Sequence, residues 1–357
     1  MTKIAGWAVA AAITLVGLVA LPAGSNAASF FLSVVLPTLA PWLAAAALGI
    51  AGLALWRNKK ALALLAAAGA VLPVWAIAGQ YVGASRAGVS LNLARAMAPG
   101  SMEASTPPQT VHGMQVYGAE AGKAKPIIFN VHGGGWKDDA EMPATLEELA
   151  RAGFVVVRPT YPLADAEHPT FDAAPAALAD AYRWVSEHPH EVGGDAGQIY
   201  VFGDSAAGGG LGLNLAYRVA QGLDAGSTPR AVVALYPTVD LEAVEGVKSL
   251  GAFQAVRDYL GGSSAEHPER YREQDTATWL SPEAPPTLII QGGRDTFVPP
   301  DSVRRFVDQA RETGVDIDYV SVPAANHAFD VAARGSLGQQ LVEKATARFF
   351  AGHEAAD

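Results

Sequence analysis

The chain has 357 residues, of which 50% are hydrophobic and 17% charged, and it contains no cysteine. So much apolar surface with so few charges excludes low-complexity, collagen-like and intrinsically disordered chains. The absent thiols exclude disulfides, thiol catalysis and thiolate-bound zinc. The net charge of −10 is unevenly spread: residues 1–102 hold no Asp or Glu and six bases, so the other 255 residues carry all 35 carboxylates against 19 bases. An acidic body is unsuited to phosphate backbones, and no nucleic-acid partner is expected.

Three apolar runs open the chain, Ile4–Leu21, Phe30–Trp56 and Ala61–Val82, none with a charged residue. Each is close to the roughly 20 helical residues that cross a bilayer core, and none shows the polar stripe of a long soluble helix. Residues 1–82 therefore read as a membrane anchor of about three transmembrane helices, with Trp42 and Trp56 at interfacial positions. Pro37, Pro41 and Pro73 are tolerated where neighbouring helices satisfy the freed carbonyls. The basic turn Arg57-Asn58-Lys59-Lys60 places the second loop in the cytoplasm, and Lys3 agrees, so the rest of the chain is expected on the extracytoplasmic side of a multi-pass cell-membrane protein. Arg86 and Arg95 are a mild contrary signal. An alternative makes the first run a cleaved signal peptide ending at Ser25-Asn26-Ala27, with the same outcome for the body. Residues 83–110, ending Ser105-Thr106-Pro107-Pro108, form a connector with a short helix over Leu91–Met97.

Residues 111–357 alternate short β-rich runs with helical patterns. Strands are predicted at Val111–Tyr117, Ile127–Val131, Phe154–Arg158, Ile199–Phe202, Ala231–Tyr236, Thr287–Gln291 and Ile317–Val322. Helices are predicted at Ala140–Ala152, Asp172–Glu187, Ala206–Gln221, Asp301–Thr313 and Leu337–Ala351. Asp138, Asp139 and Glu141 read as the acidic first turn of the first of these. Continuous apolar strands separated by helices imply an α/β fold, a mostly parallel sheet covered on both faces. Ligands bind such sheets at the carboxyl ends of the strands.

Three chemical features stand at those ends. The strand Ile199–Phe202 runs into Gly203-Asp204-Ser205-Ala206-Ala207, a small-residue elbow that exposes a serine hydroxyl at a helix start. By itself the same pattern also suits a phosphate cradle. His132-Gly133-Gly134-Gly135-Trp136 follows Ile127–Val131, and its glycines let backbone N–H groups converge on a developing oxyanion. Asp295 in Gly292-Gly293-Arg294-Asp295 and His327 in Asn326-His327-Ala328-Phe329 each follow a strand. The order Ser, Asp, His completes a nucleophile–base–orienter set. His168, His188, His190 and His267 have no metal-ligand spacing.

With these motifs, residues 125–351 resemble the α/β-hydrolase superfamily, and within it the hormone-sensitive-lipase-like and bacterial feruloyl-esterase-like carboxylesterases. Tyr161-Pro162-Leu163-Ala164-Asp165-Ala166-Glu167-His168-Pro169 and Asp195-Ala196-Gly197-Gln198-Ile199 are similar to two further stretches of that family. The resemblance implies Ser205 as nucleophile, His327 as general base and then acid, and Asp295 as orienter, with Gly134, Gly135 and Ala206 as the oxyanion hole. His132 and Trp136 then shape the loop, and Asp204 hydrogen-bonds a neighbouring loop. No cofactor or metal is implied. The expected activity is serine carboxylesterase, on a small-molecule or lipid-like ester. Amidase, formamidase or peptidase chemistry on the same triad, or a catalytically silent membrane scaffold, are the alternatives. Two positions depart from the family pattern. Ala207 and Ala328 each stand where glycine is usual; the first implies a modest packing adjustment and the second little, if that loop has ordinary backbone angles. The run Leu241–Pro282 is helical and names no substrate.

Overall fold

The computed structural model describes residues 3–21, 24, 26–98, 107–247 and 251–354. Ser25 of the possible cleavage site, and Ser105-Thr106 of the connector, lie outside the described residues. The chain packs as two units, one of residues 1–102, 292–296 and 321–342, the other of 103–291, 297–320 and 343–357.

The first unit is built on α1 (Lys3–Ala20), α2 (Ala27–Trp56), α3 (Lys60–Arg86) and the short α4 (Leu93–Met97). Asn26 starts α2 by accepting from the Ser29 N–H while the Ser29 hydroxyl accepts from the Asn26 N–H, a reciprocal capping box. Asn58 turns between α2 and α3 at φ +53°. Two helices, α2 and α3, are long and apolar enough to cross a membrane by length and composition, and α1 is a shorter apolar helix. Their radial pattern is unusual. The buried positions of α2 and α3 are mostly small: Ala40, Ala44, Ala47, Ala51 and Ala54 on one, Ala63, Ala66, Gly69, Ala70 and Ala76 on the other. Large apolar side chains point outward instead, with Phe31 64%, Leu48 54%, Trp56 78% and Val71 62% exposed. Small residues let helix backbones approach closely, which is how helices associate where no water drives them together.

The second unit carries most of an eight-stranded sheet of order β1-β2-β4-β3-β5-β6-β7-β8. The strands are β1 (Gln109–Val111), β2 (Met114–Tyr117), β3 (Lys125–Val131), β4 (Val155–Arg158), β5 (Gly194–Asp204), β6 (Val232–Leu235), β7 (Thr287–Gly292) and β8 (Ile317–Val322). β4, β3, β5, β6 and β7 pair in parallel, and β1–β2 and β2–β4 are antiparallel. Buried β-branched runs such as Val155-Val156-Val157 suit strands covered on both faces. The helices of the body are α5 (Ala144–Arg151), α6 (Ala173–Glu187), α7 (Ser205–Ala207), α8 (Asn214–Ala220), α9 (Leu241–Glu245), α10 (Ala252–Leu260), α11 (Pro268–Gln274), α12 (Pro300–Thr313) and α13 (Leu337–Ala351).

Three local differences from the sequence reading have physical causes. The predicted strand Val111–Tyr117 is a hairpin, because His112 and Gly113 both adopt positive φ and close a two-residue turn. The helix predicted from Ala140 begins at Ala144, since Met142 precedes Pro143 and such a residue is driven out of the helical region. Asp138, Asp139 and Glu141 therefore lie in the preceding loop, where Asp139 pairs with Arg158 at 2.5 Å. The predicted helix Ala206–Gln221 is real but interrupted: Gly208–Leu213 is a π-helical segment between α7 and α8, a widening often found beside functional sites.

Candidate active site

Sheet register brings the glycine loop and the serine elbow of the second unit together. Val131 at the end of β3 pairs with Gly203 on β5, so the glycine loop after β3 emerges beside the elbow after β5. The elbow is tight. Ser205 is half-buried and has φ +55°, a left-handed conformation rare for a side-chain-bearing residue. A Cβ on Gly203 would meet the Gly208 Cα at 3.0 Å, and one on Gly209 would meet the Thr238 carbonyl oxygen at 2.3 Å. Glycine at both places lets the strand and the helix start close around the serine. Thr238 braces the turn from the far side: its N–H donates to the Ser205 carbonyl at 3.2 Å and its hydroxyl to the Ala206 carbonyl at 2.9 Å. Ala207 is fully buried against this packing.

The loop His132–Trp136 is held by side chains around it. Gly133 N–H donates to Asp204 Oδ1 at 3.3 Å, tying loop to elbow. Gly134 sits at φ +116°, where a Cβ would meet the Asp138 carbonyl oxygen at 2.1 Å, and Gly135 at φ +63°. Neither amide hydrogen has an acceptor among the described residues. His132 is buried, stacks on Tyr161 at 4.3 Å, and accepts through its carbonyl from the Tyr161 hydroxyl at 2.7 Å. Burial pulls the His132 imidazole below its ordinary 6.5, and burial first, then Asp204, pushes the Tyr161 hydroxyl well up. Both are therefore neutral near pH 7 and serve as packing. Trp136, at φ +60°, is buried and stacks on Tyr259 of α10 at 4.7 Å. The helical run after β6 thus supports the loop, a role its sequence did not reveal.

A second feature is a buried hydrogen-bonded pair within the first unit. The His327 Nδ1–H donates to Asp295 Oδ2 at 2.8 Å, and both side chains are buried. An ionised carboxylate only accepts, so this bond fixes the proton on Nδ1 and leaves Nε2 as the basic nitrogen. Asn326 joins the two loops. Its Oδ1 accepts from the Thr296 N–H at 2.9 Å and from the His327 N–H at 2.7 Å. The sequence reading passed over Asn326 although it adjoins the histidine. Ala328 corrects an expectation: it has φ +53°, not ordinary angles, so a position that favours glycine carries a methyl group here.

A family model described as BD-FAE matches residues 114–309. The chain belongs to the BD-FAE family. Similar proteins include esterase LipQ of Mycobacterium tuberculosis, 24% identical over 243 residues, with 64% of this chain and 56% of LipQ covered. Esterase LipC of the same organism is 29% identical over 223 residues, covering 58% of this chain and 54% of LipC. The chain thus spans about half the length of the curated relatives it matches. Among solved structures, Thermogutta terrifontis esterase 2 phosphonylated by sarin superposes with TM-score 0.54 at 20% identity, over 72% of this chain and 99% of that one. The BD-FAE match and this likeness establish the α/β-hydrolase fold.

Proposed function

We propose that the protein is a membrane-anchored serine carboxylesterase. The observation that carries the reading is the buried Asp295–His327 hydrogen bond, in a chain whose Ser205 occupies a strained strand–helix elbow. Relatives named as esterases support the reaction class. Ser205 Oγ attacks the ester carbonyl while His327 Nε2 takes its proton and Asp295 holds the imidazole through Nδ1. The tetrahedral oxyanion is held by the N–H groups of Ala206, Gly134 and Gly135. His327 returns the proton to the leaving alcohol, an acyl-enzyme remains on Ser205, and water activated by His327 releases the acid.

Residues 1–82 anchor this body, 83–110 connect and 111–357 hold the catalytic domain. Support for the anchor comes from the outward-facing Phe31, Leu48 and Val71, which in water would form an exposed apolar belt. The body is assigned to the extracytoplasmic side on the basic turn Arg57-Asn58-Lys59-Lys60. Hydrolysis of a p-nitrophenyl ester series by the full chain in detergent, beside matched anilides, tests the reaction. Esters should be cleaved and Ser205→Ala should remove all turnover; cleavage of anilides alone would favour amide chemistry, and an active Ser205→Ala would reject the nucleophile.

A further inference from the structure

Each loop that carries a member of the Asp–His pair is attached to the amino-terminal helices by the residue preceding that member. Arg294, beside Asp295, donates through Nη2 to the Leu21 carbonyl at the end of α1, and its guanidinium lies 5.3 Å from the centre of the Trp75 ring of α3. Asn326, beside His327, donates through Nδ2 to Ser33 Oγ of α2 at 2.6 Å, and both side chains are buried. A Cβ on Gly79 of α3 would meet the Ala324 N at 2.9 Å, so helix and loop touch through backbone.

The direction of every hydrogen bond in this network is fixed. Two N–H groups, from Thr296 and His327, point at one end of the Asn326 amide, which must be its oxygen. The NH2 end therefore faces Ser33. The Ser33 hydroxyl spends its proton on the Phe30 carbonyl at 2.7 Å, so its oxygen accepts from Asn326. Ser33, a buried hydroxyl in a largely apolar helix, thus sets the orientation of the amide that joins the Asp295 and His327 loops.

We propose that Ser33 and Asn326 are positioning residues for the Asp–His pair, which makes the amino-terminal helices part of the catalytic apparatus as well as an anchor. The proposal rests on the esterase reading. Without the Ser33 oxygen, the buried Nδ2 has no acceptor and the amide is free to turn, releasing the N–H groups on either side of the pair. Misplacement of about an ångström in a catalytic group lowers turnover by as much as 100-fold.

The test uses the full chain in detergent and four variants on one p-nitrophenyl ester. Ser33→Ala should lower kcat about tenfold with KM within about twofold, because orientation and not substrate contact is lost. Ser33→Cys, which keeps the bulk and offers a weaker acceptor, should show a smaller loss of the same kind. Ser29→Ala is the matched control. It removes a buried hydroxyl from the same end of α2, and with it the reciprocal half of the capping box, without touching Asn326. It should lower the Tm at least as much as Ser33→Ala while leaving kcat within about twofold. Equal losses of kcat in Ser29→Ala and Ser33→Ala would mean a structural effect and overturn the proposal. So would unchanged kcat in Ser33→Ala and Ser33→Cys. Ser205→Ala separates the two readings: if it is inactive while Ser33→Ala is normal, the esterase stands and the positioning role falls.

Discussion

The amino-terminal helices and the sheet-bearing unit invert each other. In the sheet-bearing unit, Phe129, Phe202, Tyr217 and Ile289 are buried, and carboxylates and bases face outward. In α2 and α3 the buried positions are mostly alanine, glycine, proline and serine, and large Leu, Val, Phe and Trp side chains face outward. The same apolar residue types therefore occupy opposite sides of their units. Each arrangement minimises contact between apolar surface and water: the sheet unit hides its large side chains in its own core, and in the proposed membrane anchor the helices give theirs to lipid. What lies inside the helical unit is then free to be small and polar, which is where Ser33 and Gln80 are found.

Substitutions should expose this inversion, the largest effects first. Phe129→Ala in the sheet core should destabilise that unit by about 3–5 kcal/mol, whereas Leu48→Ala on α2 should change stability by less than about 0.5 kcal/mol, both read by thermal unfolding in detergent. Val71→Arg near the middle of α3 should oppose membrane insertion by about 2.5–3.5 kcal/mol, read as protein lost from the membrane fraction. Leu223→Arg, at another exposed apolar position but in the sheet unit, should leave both insertion and Tm nearly unchanged; a similar loss at both sites would remove the distinction between the two surfaces.

Titration offers a third contrast, since residues 1–102 hold no carboxylate. In the sheet unit, burial lifts the Asp275 carboxyl from 3.8 to about 6. Its folded pKa exceeds the unfolded one, so the native state binds the proton more tightly between those values. Stability from this group is present below about pH 4 and lost as pH rises to about 6. Asp275→Asn keeps an acceptor for the Ala277 N–H and should flatten the dependence of Tm on pH across that window. A small gain is expected from Ala328→Gly, which relieves the positive φ and should add up to about 1 kcal/mol, read as a rise in Tm.

Much of this was legible in the sequence because its causes are local. The strand Ile317–Val322 and the helix Leu337–Ala351 have the predicted bounds, since each is a clear periodic run between turn residues. The elbow at Ser205 and the turn at Gly134 are legible because the backbone there requires the glycines of their motifs. Where sequence reasoning failed, the cause was either conformational or distant. Nothing in the letters His112-Gly113 announces that the histidine shares its neighbour's positive φ, and nothing beside Ala328 signals a left-handed loop. Asn326 meets Ser33 across 293 positions of chain, a contact with no periodic signature. Trp136 and Tyr259 are hidden from each other in the same way.

The central claim concerns one hydroxyl, and covalent labelling reads it directly. The full chain in detergent would be treated with a fluorophosphonate, digested and mapped by mass spectrometry, with Asp295→Asn and His327→Ala in parallel. The account predicts a single adduct on Ser205 that forms rapidly in the parent protein and is slowed by about 1000-fold or more in both variants. An adduct on another residue, or labelling of Ser205 at the same rate in all three proteins, would contradict it.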